Sequence, residues 1–127
     1  MRAGQGLFGL LAIGLVALSG ATGSASAEGV RRALLVGVSD YPKETVGDLQ
    51  LAGPKNDVAL MIDTIGRMGF SAGDTTVLAD GLDLTGATRA ADGPPTRARI
   101  LAAMSELAAK ARPGDFVLLY FSGHGSQ

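Results

Sequence analysis

The chain contains no cysteine. That absence excludes disulfides, thiolate metal sites and a thiol nucleophile within these 127 residues. Net charge is nearly absent as well: the formal value is -1, and the basic residues are scattered rather than clustered. Nucleic acid is therefore not an expected partner, because phosphate recognition needs a concentrated positive face. A glycine-rich phosphate cradle is also missing. Val36-Gly37-Val38-Ser39 follows an apolar stretch but lacks the further glycines or the Gly-Lys-Ser that hold phosphates. No internal repeat is visible, and histidine occurs once, at position 124.

What is present begins with an export pattern. Met1-Arg2 gives a short positive start, Leu7–Leu18 is an uncharged apolar run, and Ala25-Ser26-Ala27 is the small-x-small sequence that signal peptidase accepts. Residues 1–27 thus read as a signal peptide, with a mature chain from Glu28 that is periplasmic or secreted. A membrane anchor is the competing reading. Leu7–Leu18 is too short for it, since a span needs about 20 apolar residues. No stable membrane span is expected after cleavage.

Residues 28–127 then alternate between two periodicities. Arg32–Ser39 is apolar and branched, as a strand is, and Asp40-Tyr41-Pro42 ends it because proline lacks a donor and restricts its predecessor. Pro54 suits a first helical turn. Val58, Met61, Ile62, Ile65 and Met68 then fall on one helical stripe, and Gly69 supplies the stop. Thr75–Ala79 is a short second strand, and Asp80–Pro95 reads as a long, exposed, mobile loop. Thr96 is a good N-cap for a second helix, Arg97–Ala111, whose stripe is Ile100, Met104, Leu107 and Ala111. Phe116–Phe121 is an unbroken apolar run, which suits a strand covered on both faces. Strand, helix, strand, helix, strand calls for an α/β fold with a parallel sheet and right-handed crossovers.

The last strand stops at Ser122-Gly123-His124-Gly125. In open α/β sheets ligands bind beyond the carboxyl ends of the strands, so this strand delivers an uncrowded imidazole where chemistry is expected. Histidine, with an unperturbed pKa of about 6.5, is the natural acid or base at neutral pH. Backbone N–H groups at and beyond Gly125 are candidates for stabilising an oxyanion. Three nucleophile arrangements compete. Ser122 lies two residues from His124 on a strand end, a poor position for a triad, and Ser126 is no better placed. Asp40 and Asp57 could act as paired carboxylates, though no spacing supports them. A cysteine supplied from elsewhere fits best, because a base is present and a nucleophile is not.

Three segments taken together, Ala33–Tyr41, Leu51–Val58 with Asn56-Asp57, and Ser122–Gln127, resemble the caspase-like cysteine peptidases, especially bacterial metacaspase-type members. The resemblance covers residues 31–127. It implies a caspase-like three-layer α/β/α fold with a mostly parallel sheet, truncated here after the third strand. It also implies a cysteine-type endopeptidase acting on peptide or protein substrates. His124 would match the catalytic histidine and Gly125 the oxyanion-hole glycine. Asp57 and Ser122 would match part of the acidic pocket that holds an Arg or Lys before the scissile bond.

Departures from the family pattern accompany the match. The cysteine strand, a further acidic pocket residue and the smaller second part of the fold are absent, and Pro54 stands where some metacaspases carry cysteine. The chain thus reads as an N-terminal fragment of a peptidase domain over 28–127, inactive by itself. No cofactor or metal is expected, and the calcium-binding acidic residues of some relatives would lie beyond Gln127. A catalytically inactive caspase-like interaction domain is the alternative function. A small α/β hydrolase or nucleotide-handling domain is a third reading, disfavoured by the missing nucleophile elbow and phosphate loop.

Overall fold

The computed structural model describes residues 28–42, 44, 51–81 and 88–125. The export segment, residues 1–27, lies outside them. Among the described residues no helix is long and apolar enough to cross a membrane. The elements are β1 (Arg31–Gly37), α1 (Gly53–Arg67), β2 (Thr75–Ala79), α2 (Arg97–Lys110) and β3 (Phe116–Ser122). All strands are parallel, in the order β2-β1-β3. The expected alternation of strands and helices is therefore present.

β1 is the centre of the molecule. Its alternate side chains serve two cores. Ala33 and Leu35 join Val77 and Ala79 of β2 under Val58, Ile62 and Ile65 of α1. On the opposite face, Leu34, Val36 and Leu78 meet Ile100, Ala103 and Leu107 of α2. Helices therefore cover both faces, giving three α/β/α layers. A strand flanked on both edges and both faces loses all contact with water, which is why the charge-free run Ala33–Gly37 is buried from end to end.

Among the described residues β3 is an outer strand of the sheet, and one of its faces is only partly covered. It pairs with β1 on one side only, and Phe116, Val117, Leu119 and Phe121 are 43–53% exposed. α2 reaches only partway across it, leaving an apolar groove of about 280 Å3 between Met104, Leu107, Ala108, Ala111, Val117 and Leu119. The apolar run marks a sheet strand, and a parallel sheet of three strands leaves such an apolar edge open. The other face is better filled: Leu118 and Tyr120 pack on the α1 core, and Phe116 meets Phe70 edge to face at 5.8 Å.

Two helix expectations need correction. Met68 is 52% exposed, because α1 ends at Arg67 and Met68 is its cap, with Gly69 turning the chain away at φ 85°. α2 stops one residue short of the expected end; Thr96 caps its start by accepting the Arg99 N–H. Part of the Asp80–Pro95 segment is also less free than its composition suggests, with residues 82–87 outside the described set. Asp92 binds the outer edge of β2 twice: its carboxylate accepts the Val77 N–H at 2.7 Å, and its own N–H donates to the Val77 carbonyl at 2.7 Å. These bonds, with the Ala79 N–H to Gly93 carbonyl at 3.2 Å, partner backbone groups that an edge strand leaves open.

The amino ends of β1 and β3 are tied by charge. Asp115 accepts the N–H groups of Arg112 at 2.9 Å and Val30 at 2.8 Å, together with Arg32 Nε at 3.1 Å. Arg32 also reaches Asp74 at 2.7 Å. The backbone N–H of Arg112, then that of Val30, holds the Asp115 carboxyl below its ordinary value of 3.8. A depressed carboxyl contributes stability that is complete above its unfolded pKa and is lost as pH falls through the lower, folded value. Thermal unfolding should accordingly show a melting temperature that declines below about pH 4, with Asp115→Asn lower at neutral pH and flatter in acid. Parallel curves for the two proteins down to the acid limit would show that Asp115 is not responsible.

Candidate active site

The site forms where parallel register places the carboxyl ends of β1 and β3 side by side. Gly37 pairs with Ser122, and the Val38 N–H donates to the Ser122 carbonyl at 2.9 Å, the last rung of the ladder. Helix α1 starts against this same point. A Cβ on Gly37 would stand 2.7 Å from Val58 Cγ2 and 2.9 Å from the Pro54 carbonyl oxygen. Only glycine lets the helix come this close. That approach places Asp57, one turn into α1, within reach of β3.

The contact is direct. The Ser122 hydroxyl donates to Asp57 Oδ2 at 2.7 Å, across 65 residues of sequence. A serine nucleophile would give its proton to the imidazole; Ser122 gives it to a carboxylate, so a serine triad is not what this arrangement builds. Asp57 lies beyond the first turn of α1, which contains no acidic residue, so complementing the helix dipole is a poor account of it. A carboxylate offers about four lone-pair positions on two oxygens, and the serine occupies one.

His124 follows two residues later and is exposed. Its backbone N–H donates to the Tyr41 hydroxyl at 2.6 Å, and the Tyr41 and His124 rings lie 5.1 Å apart at 58°. Gly125 is exposed, with open space around the position of a side chain. Asp40 is exposed, and its backbone N–H, like that of Ser39, is taken by Asp80 Oδ2, at 3.2 and 3.1 Å. Asp57 is thus paired with Ser122, and the idea of an Asp40–Asp57 acid–base pair finds no contact to support it. Ser126 lies outside the described residues. Among those residues no group of three or more His, Cys, Asp or Glu side chains could hold a metal ion.

The chain matches the model of the metacaspase peptidase C14 domain over residues 31–127, which includes every element of this site. It belongs to the metacaspase family. Inactive metacaspase-4 of Trypanosoma brucei brucei is 35% identical over 104 residues, covering 82% of this chain and 27% of that protein. Metacaspase-2 of the same organism is 33% identical over 96 residues, covering 76% and 25%. Metacaspase-7 of Arabidopsis thaliana is 38% identical over 98 residues, covering 76% and 22%. The chain thus spans about a quarter of the length of these metacaspases.

Sequence reading brought Asp57, Ser122, His124 and Gly125 to one edge of the sheet, and the structure places all four there. The sequence carries no signal for Asp80, which binds the exit of β1, or for the contacts of Tyr41 with His124. Asp80 directly follows β2, a position from which a carboxylate can cap a neighbouring parallel strand. Tyr41 is an aromatic residue before proline at a strand exit.

Proposed function

We propose that this metacaspase chain is the histidine-bearing part of a cysteine-type endopeptidase that cleaves after arginine or lysine. The observation that carries the reading is the 2.7 Å bond between Ser122 and Asp57, which orients a carboxylate beside the His124 turn. A guanidinium or ammonium group that sheds water on docking needs such a charged partner, and Asp57 is exposed and open to it. In the proposed reaction His124 accepts the proton of a cysteine thiol, which attacks the scissile carbonyl carbon. The Gly125 N–H faces the oxyanion, and the imidazolium returns its proton to the leaving amine. Water then hydrolyses the thioester.

The cysteine comes from outside these 127 residues, which contain none. In caspases it follows the histidine by about 50 residues. The test is to express the reading frame through such a cysteine and assay it with peptides ending in Arg, Lys and Asp. Turnover of the basic peptides alone, blocked by thiol alkylation, is expected; preference for Asp, or turnover indifferent to alkylation, would contradict the proposal. A non-catalytic role is the second reading, favoured by a relative that itself bears the name inactive. A reading frame that closes without a cysteine would establish it.

The same proposal places the enzyme outside the cytoplasm, on the pattern of residues 1–27. Intact mass of the exported protein should correspond to a chain beginning at Glu28; recovery of Met1 on that protein would remove the export reading.

A further inference from the structure

The ladder between β1 and β3 ends at Ser122, so the sheet does not fix the backbone of His124. A catalytic base nonetheless has to be held in place, because misplacement by about 1 Å can cost a hundredfold in rate. Tyr41 supplies what the sheet does not. Its hydroxyl accepts the His124 N–H at 2.6 Å, and its ring lies against the imidazole at 5.1 Å.

Several neighbouring features make this contact possible. A Cβ at Gly123 would stand 2.7 Å from the Tyr41 hydroxyl and 3.4 Å from Val38 Cβ, so glycine there admits the phenol to the turn. On the other side, Asp80 Oδ2 holds the N–H groups of Ser39 and Asp40, fixing the path by which the chain leaves β1. Pro42 then biases Tyr41 toward extended backbone. The phenol is presented from a braced strand exit rather than from a free loop.

We infer that Tyr41 is the positioning residue of the catalytic histidine. Its oxygen fixes the backbone of the Gly123-His124 turn, and its ring limits the orientations open to the imidazole. This rests on His124 being the general base, as proposed above. Asp57 and Ser122, which bind the substrate side chain in that proposal, are not part of the latch. Loss of Tyr41 should therefore lower kcat and leave KM for Arg substrates close to its original value.

Two measurements separate the latch from the catalytic proposal. His124 is the only histidine in the chain, so its imidazole signals are unique in a spectrum of the 127-residue protein. Tyr41→Phe should keep the ring-current shift on those signals while the His124 amide exchanges at least tenfold faster. Tyr41→Leu should lose both. In the cysteine-bearing enzyme, kcat should fall about tenfold for Tyr41→Phe, as expected for one lost hydrogen bond, and about a hundredfold for Tyr41→Leu. Unchanged His124 amide exchange and unchanged kcat in Tyr41→Phe would overturn the inference, and that variant retains the packed ring. If His124→Ala leaves turnover intact, the catalytic proposal fails instead, whatever the amide exchange shows.

Discussion

In the cysteine-bearing enzyme, His124→Ala should reduce kcat by about 10^4-fold while leaving the fold intact. The loss has two sources. Without the imidazole the thiol loses its proton acceptor, and a free cysteine is only a few per cent thiolate at neutral pH. The leaving amine also loses its proton donor, and positioned acid–base groups contribute up to about 10^4-fold. Stability should barely change, by about 0.5 kcal/mol, as for other exposed sites. His124 is exposed beyond the last strand, and alanine retains the backbone N–H that binds Tyr41. Melting temperature and kcat therefore serve as independent readouts. A variant that melts normally and turns over substrate at more than a hundredth of the original rate would remove His124 from the chemistry.

Asp57→Ala should lower kcat/KM for Arg and Lys substrates by roughly 30-fold or more. Asp57 is exposed in the free chain; once a bound substrate covers it, removing one partner of the charge pair typically costs about 2–5 kcal/mol, and 1.4 kcal/mol is one decade. Asp57→Asn keeps the size and an acceptor for the Ser122 hydroxyl but removes the charge, so it should fall almost as far. If the bond to Ser122 at 2.7 Å merely joins α1 to β3, the outcome differs in kind. Both variants would then melt earlier and keep their preference for Arg over Asp. Assaying both against Arg, Lys and Asp peptides, beside their melting curves, decides between the two roles.

The fold was legible because its strongest signals are local. Three β-branched or aliphatic runs and two helical stripes specify the element order, and parallel connection follows from alternation. What the sequence could not reveal was neighbourhood. Phe116–Phe121 reads as covered on both faces, yet among the described residues α2 reaches only partway across one face of β3, since apolarity records what a strand can bury and not what lies beside it. Met68 continues the stripe of α1 by spacing alone, but the helix ends before it. The composition of Asp80–Pro95 suggests mobility, whereas the Asp92 carboxylate and the backbone groups of Asp92 and Gly93 bind the open edge of β2, which composition does not show. At the site, His124 and Gly125 were marked by their position after a strand. Tyr41 and Asp80 act through contacts spanning 83 and about 40 residues, for which a single sequence carries no periodic signal.

The central claim is that His124 activates a cysteine to attack a bond after a basic residue. Labelling the cysteine-bearing enzyme with an arginine-derived affinity reagent that alkylates thiolates, then weighing the intact protein, tests it most directly. The account predicts one added inhibitor mass, located by digestion on a cysteine about 50 residues past His124. It also predicts labelling slowed by orders of magnitude in His124→Ala and restored to an aspartate-derived reagent in neither protein. Label on any other residue, or equal labelling of the enzyme and His124→Ala, would contradict it.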